Sequence, residues 1–250
     1  MELGGCRVLV TRPAEQAGPL AAALREAGAT PLLYPTVTVG EPPDWAPFDA
    51  AFATLRPGDW IVFTSPSAVR LAAARLRRIG HFSAVASSAI AAVGPGTAAA
   101  LAAEGLTAAV VPEVGQRHQE GLATAMDGVG AGTRVIFPRA LGGRDVLESQ
   151  LTARGAAVQT VPVSETRPCA LSPLPEFDAA IFASPSALRA LVDRWGAGAL
   201  AGRVAVAIGP VTAAAMSAAG VTPSGVAEDP TQDGVVRALS AAWAARPRSA

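Results

Sequence analysis

The two halves of this chain repeat each other, so its fold must be built from one set of parts used twice. Arg7-Val-Leu-Val-Thr-Arg12 returns as Arg134-Val-Ile-Phe-Pro-Arg139, Gly28 as Gly155 and Pro35 as Pro162, all at one common offset. Further along, Phe63-Thr-Ser-Pro-Ser-Ala-Val69 returns as Phe182-Ala-Ser-Pro-Ser-Ala-Leu188. Val93-Gly-Pro-Gly-Thr97 returns as Ile208-Gly-Pro-Val-Thr212, and Gly105 as Gly220. The matches keep their order, and the offset shrinks only by loop deletions, which points to duplication. Two like units of roughly 120 residues each are of ordinary domain size and suggest two domains facing each other across a cleft.

Short apolar runs alternate with helical periodicity along both halves. Strands are expected over 7–11, 31–39, 60–64, 89–93, 108–111, 134–137, 157–164, 179–183, 204–208 and 221–226. Helices are expected over 14–27, 67–79, 97–104, 119–126, 145–154, 186–195, 211–219 and 232–245. The strands are continuously apolar rather than alternating, as in a parallel sheet covered by helices on both faces.

Composition narrows the chemistry. Twenty Lys+Arg balance twenty Asp+Glu, and the net charge is +0. Such a chain has no global field to draw in nucleic acid or an anionic membrane. It contains no lysine, so every basic residue is arginine. A Walker-A loop is thereby excluded, as are Schiff-base and pyridoxal-phosphate chemistry. Two cysteines, Cys6 and Cys169, are too few for a Cys-rich zinc site and suit a reducing compartment. His81 and His118 have no partner at metal-ligand spacing, so no metal is expected. No apolar run reaches the ~20 residues of a membrane span, and no signal peptide is evident, which places the chain in the cytoplasm.

Each Ser-Pro-Ser and each Gly-Pro-x-Thr falls where a strand ends and a helix begins. There the first backbone N–H groups are unpaired and the helix dipole is positive, a setting that binds carboxylate or phosphate without lysine. Candidate residues are Thr64, Ser65, Ser67, Gly94 and Thr97 in the first half, and Ser184, Ser186, Gly209 and Thr212 in the second. Ordinary capping by Ser and Thr accounts for any one of these motifs equally well. Four of them at one sheet edge favour an anionic ligand. Arg12 and Arg139 are repeat partners just past a strand, and Arg144 follows a Gly-Gly turn. These can clamp carboxylates bidentately or serve in ion pairs within the fold. Gly94-Pro-Gly96 superficially matches a dinucleotide fingerprint, but its repeat partner lacks the second glycine, so no nucleotide site is expected.

Taken in order, these motifs resemble the uroporphyrinogen-III synthase family. The stretches that carry the likeness are Val8-Leu-Val-Thr-Arg-Pro13 with Leu24 and Gly28, Trp60-Ile-Val-Phe-Thr-Ser65 with Ala68-Val69, and Ala91-Ala-Val-Gly-Pro95 with Thr97. Then come Pro138-Arg139 with Gly143-Arg144, Phe182-Ala-Ser-Pro-Ser186, and Ile208-Gly-Pro210 with Thr212, Ala213 and Gly220. The resemblance implies two flavodoxin-like α/β domains with parallel sheets, joined by a two-stranded linker, with the ligand cleft between them. The first domain is then discontinuous, 1–36 plus 168–250, the second is 41–163, and the linkers are about 35–40 and 162–167.

The activity implied is that of a cyclising lyase. It closes linear hydroxymethylbilane to uroporphyrinogen III, inverting ring D through a spirocyclic intermediate, in tetrapyrrole and heme biosynthesis. The resemblance implies no cofactor. It implies a monomer with a polycarboxylate substrate, received by transient hand-over from hydroxymethylbilane synthase. The family has a tyrosine in the second linker strand that hydrogen-bonds the leaving hydroxyl. Here that position is Ser164, and the chain's one tyrosine is Tyr34, in the first linker segment. Four readings stay open: the assistance is dispensable, Ser164 recruits a water, Tyr34 substitutes, or the chain is a divergent relative that does not catalyse the reaction. The rival class is a non-catalytic polycarboxylate or tetrapyrrole binding or sensor module on the same scaffold, and a third possibility is an enzyme acting on another polycarboxylate.

Overall fold

The computed structural model describes residues 3–246. In chain order the elements are β1 (Arg7–Val10), α1 (Ala14–Glu26), β2 (Thr30–Leu33), β3 (Val37–Gly40), α2 (Ala46–Ala53), β4 (Trp60–Phe63), α3 (Pro66–Arg78), α4 (Phe82–Ala86), β5 (Ala89–Ala92), α5 (Pro95–Ala103) and α6 (Gln119–Ala125). They continue with β6 (Arg134–Ala140), α7 (Val146–Ala153), β7 (Ala157–Pro168), β8 (Ala179–Phe182), α8 (Pro185–Trp195), β9 (Val204–Ala207), α9 (Pro210–Ala218), β10 (Gly225–Val226) and α10 (Gln232–Ala245). The chain divides into two compact units, Met1–Thr38 with Thr166–Ala250, and Val39–Glu165.

One sheet runs β10-β9-β8-β1-β2 and the other β3-β7-β6-β4-β5. β1 is parallel to β2 and β8, β8 to β9, and β9 to β10. β4 is parallel to β5 and β6, and β6 to β7. Read through the duplication, β1 corresponds to β6, β2 to β7, β4 to β8 and β5 to β9. The two sheets then share one strand order, β2-β1-β8-β9 and β7-β6-β4-β5, the flavodoxin-like arrangement. A repeat does not fold as a unit by itself: each sheet takes two of these strands from each half of the chain. The duplication keeps an ion pair too. Asp59 and Asp178 each stand one residue before a strand and are repeat partners. Asp178 pairs with Arg7, and Asp59 with Arg7's repeat partner Arg134.

The strands are apolar throughout because both faces are covered. In the first unit Val8, Val10, Ile181 and Val206 meet Leu20, Leu24, Val235 and Leu239 of α1 and α10. On the opposite face Leu9, Ala180, Phe182 and Ala205 meet Leu188, Leu191 and Met216 of α8 and α9. In the second unit Ile61, Phe63, Ile90 and Ile136 pack with Phe48, Phe52, Val69 and Leu76, and Val62, Ala91, Val135 and Phe137 pack with Leu122, Leu147 and Leu151. Successive strand residues thus serve opposite layers.

Three strand expectations need correction. The run over 31–39 is not one strand but β2 and β3, which lie in different sheets. Pro35 has no N–H to continue a ladder, and the break falls around it. The segment over 108–111 forms a single bridge, Ala91 with Val110. The segment over 221–226 shortens to β10 after Pro223. Two helices, α2 and α4, are additional to those expected. α2 has little amphipathic contrast, with Phe48, Ala51 and Phe52 fully buried, so periodicity gives no signal there. Four motif helices begin earlier than expected, at Pro66, Pro95, Pro185 and Pro210. Proline suits the first helical position, where its missing N–H would have no partner anyway.

Candidate functional site

Ligands of doubly wound sheets bind beyond the carboxyl ends of the strands, above all where the strand order switches direction. In the first unit the switch lies between β1 and β8, where Thr11 Oγ1 donates to the Ile181 carbonyl at 2.7 Å. Arg12 follows β1, Ser184 and Ser186 follow β8, and Gly209 and Thr212 follow β9. In the second unit the switch lies between β4 and β6. Thr64, Ser65 and Ser67 follow β4, Gly94 and Thr97 follow β5, and Arg139 and Arg144 end β6 and its loop. Apart from Ser164, Tyr34 and Arg139, which is still paired within β6, every candidate stands at a strand-to-helix turn on the carboxyl edge of its own sheet.

The side chains do not all serve as the sequence suggests. Ser65 Oγ accepts from the Ala68 N–H and Ser184 Oγ from the Ala187 N–H, each at 3.1 Å. These two hydroxyls therefore act as helix caps. Ser67 is buried and accepts from Arg70 Nη2 at 3.1 Å. Thr97 and Thr212 are each only 3% exposed. Gly94 and Gly209 are the N-cap residues of α5 and α9 in extended backbone. A Cβ on Gly209 would meet nothing within 4 Å, so the start of α9 is open. What these turns offer a ligand is mainly backbone N–H and helix dipole.

The arginines divide. Arg139 donates from Nη1 to the carbonyls of Gly143 at 3.1 Å and Arg144 at 2.9 Å. It pins the turn after β6 and forms no open clamp. Arg144 is exposed, with Nη1 3.4 Å from Glu120 Oε1. The Glu120 carboxyl is held below its ordinary value, first by its own backbone amide and then by Arg144 and His118. Arg12 differs from both. Its Nε is buried without a hydrogen-bond partner, burial lowers its guanidinium from the ordinary value, and among the described residues it forms no ion pair. Arg117 Nε is likewise buried and unpartnered.

Apolar side chains gather at the same edges. The large hydrophobics exposed among the described residues are Leu33, Val111, Val114, Leu141, Val211 and Val226. Leu33 and Val226 end β2 and β10, Val211 lies in the first turn of α9, and Leu141 follows β6. Val111 and Val114 follow the bridge to β5. Exposed apolar side chains scattered singly need no explanation, but a set confined to the ligand edges of two sheets does. Sequence reasoning missed both this set and Arg117, because hydropathy patterning reports what is buried in the core and does not mark apolar residues left exposed at strand ends, helix starts and loops.

The family model described as uroporphyrinogen-III synthase HemD matches residues 18–237. This chain belongs to the uroporphyrinogen-III synthase family. A uroporphyrinogen-III synthase of Synechococcus elongatus is 38% identical over 164 residues, 65% of this chain and 61% of that protein. The porphyrin biosynthesis protein HemD of Ruminiclostridium josui is 31% identical over 165 residues, 66% of this chain and 32% of that protein. The matched part of the chain thus spans less than two thirds of either relative. Among solved structures, a mutant uroporphyrinogen III synthase of Thermus thermophilus is similar at 22% identity, with a TM-score of 0.64, 96% of this chain and 99% of that one being covered. The Helicobacter pylori enzyme is similar at 17% identity, with a TM-score of 0.67, 94% of this chain and 99% of that one being covered. These likenesses show the fold.

Two further hydroxyls, those of Tyr34 and Ser164, lie away from these turns. Tyr34 is 5% exposed in the core of the first unit. Its hydroxyl donates to the Ser172 carbonyl at 2.6 Å and accepts from Trp195 Nε1 at 3.0 Å. Both bonds tie it to the fold, and it does not stand as a free acid. Ser164 is 2% exposed on β7. It faces Ala140 just past a register shift in which Arg139 pairs with Pro162 and Ala140 with Ser164, and its carbonyl accepts from Leu141 N–H at 2.8 Å. Among the described residues no cluster of His, Cys, Asp or Glu is arranged to hold a metal, and no helix is long and apolar enough to cross a membrane. Cys6 and Cys169 are both free. Burial, the largest cause, pushes the Cys6 thiol up to about 12.

Proposed function

We propose that this chain converts hydroxymethylbilane to uroporphyrinogen III. One observation carries the reading: each unit has a single sheet edge that interleaves anion-binding groups with exposed apolar side chains. A linear tetrapyrrole with eight carboxylates around four pyrrole faces requires both. Arg12 and the starts of α3, α5, α8 and α9 take carboxylates, while Leu33, Val114, Leu141 and Val211 lie against pyrrole faces.

The chemistry asks the protein for conformational control. Departure of hydroxide from ring A leaves an electrophilic azafulvene, and the electron-rich pyrrole itself supplies most of the push. Ring D is held so that its substituted carbon attacks first. The spiro species then fragments and recloses with ring D reversed. Holding the chain ends in that geometry lowers the barrier by positioning and by fixed dipoles. A buried Ser164 and a tied Tyr34 both support a reaction that needs no phenolic acid. The reading includes work without a cofactor, as a cytoplasmic monomer that receives its unstable substrate from hydroxymethylbilane synthase. A non-catalytic sensor has no observation of its own in its favour. The test is the isomer composition of the product as protein is added to a hydroxymethylbilane-generating mixture. Isomer III is expected, with full activity after chelator treatment, and isomer I alone contradicts the reading.

A further inference from the structure

Among the described residues, three buried polar side-chain atoms lack a hydrogen-bond partner: Arg12 Nε, Arg117 Nε and Ser240 Oγ. Two of them are the same atom of arginine, one in each unit. Buried donors in folded proteins are almost always paired, so an orphan at a ligand edge points to an acceptor that comes from outside. Arg12 already belongs to the proposed site. Arg117 has not been assigned a role.

Its setting is specific. The Arg117 stem lies across the N-cap of α5, with Cβ, Cγ and Cδ each 3.7 Å from where a Cβ on Gly94 would be. Nε is the next atom along the chain and is buried there. The backbone around it is held by Gln116 N–H donating to the Glu113 carbonyl at 3.0 Å and His118 N–H to the Gln116 carbonyl at 2.9 Å. That turn folds against Gly121, where a Cβ would come within 2.0 Å of the Gln116 oxygen. Nearby acids do not claim the guanidinium: Glu120 contacts His118 and Arg144, and among the described residues Arg117 forms no ion pair.

We propose that Arg117 binds a carboxylate of the substrate at the start of α5, one Nη–H meeting it first and the buried Nε–H joining once the side chain turns toward the ligand. This rests on the reading of the ligand as a tetrapyrrole polycarboxylate. Arginine is needed for its fork, since lysine offers only a point charge and no Nε. The role mirrors that of Arg12 in the other unit.

The test compares Arg117→Gln and Arg117→Lys with the wild type and with Arg56→Gln, an exposed arginine elsewhere in the second unit. Two quantities are read: KM and kcat for isomer III, and the affinity for uroporphyrin III, the fluorescent oxidised product. Loss of a charged hydrogen-bonding pair predicts about ten- to hundredfold weaker binding and a matching rise in KM for Arg117→Gln, with kcat nearly unchanged. Arg117→Lys should recover only part, and Arg56→Gln should match the wild type. If Arg117→Gln binds within about twofold of an active wild type, a change too small for such a pair, the inference is overturned while the function stands. If the wild type makes only isomer I yet binds uroporphyrin III through Arg117, the function falls and the inference stands. A wild type that does neither overturns both.

Discussion

Arg7 grips Asp178 with both arms: Nε–H donates to Oδ2 at 3.0 Å and Nη2–H to Oδ1 at 3.1 Å, while the Arg7 backbone N–H donates to Oδ2 at 2.8 Å. The pair joins the amino ends of β1 and β8, the strands that flank the switch point. Its repeat partner, Arg134 with Asp59, does the same for β6 and β4 at 3.1 Å. Each bond joins residues from different halves of the chain, so each ties together two strands that the exchange brings side by side.

The Arg7 contact holds the Asp178 carboxyl below its ordinary value of 3.8. A depressed carboxylate contributes stability that is present above the unfolded value and is lost as pH falls through the folded one. Chemical denaturation of wild type and Asp178→Asn should therefore show a constant difference near neutral pH that shrinks below pH 3.8. A difference that grows on acidification would contradict the assignment.

Tyr34→Phe removes a donor to the Ser172 carbonyl and leaves Trp195 Nε1 without its acceptor. With both groups part-buried, the cost should be about 1–3 kcal/mol of stability. Turnover of folded protein should stay within about threefold, far less than loss of an essential acid produces. A large fall in kcat with unchanged thermal stability would restore Tyr34 as the acid.

Ser164→Ala should lower turnover by less than about tenfold, under the range for an essential acid or base. A loss above about a hundredfold would mean that the hydroxyl is the acid or holds a required water. Ser164→Tyr, which installs the family's residue in a position only 2% exposed, should destabilise by about 1–3 kcal/mol through overpacking.

Gly209→Asp separates folding from binding. The backbone there is extended and the added side chain enters open space. Aspartate is a favoured N-cap, so stability should hold or rise by up to about 1 kcal/mol. Yet a carboxylate at the start of α9 should repel an anionic ligand and weaken uroporphyrin III binding by about tenfold or more, the scale of a unit charge a few ångströms away. Wild-type affinity in this variant would place the ligand elsewhere.

The architecture was legible where the sequence carried strong local punctuation. The prolines that open α3, α5, α8 and α9, and the apolar runs of β4, β6, β8 and β9, mark their elements directly. Strand exchange was not legible in the repeat itself, because duplicated motifs report that two parts are alike and not which pairs with which. It was legible only through the family likeness. At the site, Ser65 and Ser184 read correctly as residues of strand-to-helix turns, but the alternatives of cap and ligand were decided by hydrogen bonds to Ala68 and Ala187. Arg139 and Arg12 are indistinguishable as repeat partners. Only tertiary structure shows one donating to the turn after β6 and the other left without an acceptor. Arg117 lies in an aperiodic loop, and its burial against Gly94 is a long-range property.

We expect this chain to direct ring closure of hydroxymethylbilane toward isomer III. Hydroxymethylbilane synthase supplies substrate at a fixed rate, increasing amounts of the protein are added, and the oxidised products are separated by isomer. The fraction of isomer III should climb with protein until it dominates, and Gly209→Asp should need far more protein to reach the same fraction. An isomer I product that no amount of folded wild-type protein diverts would contradict the account.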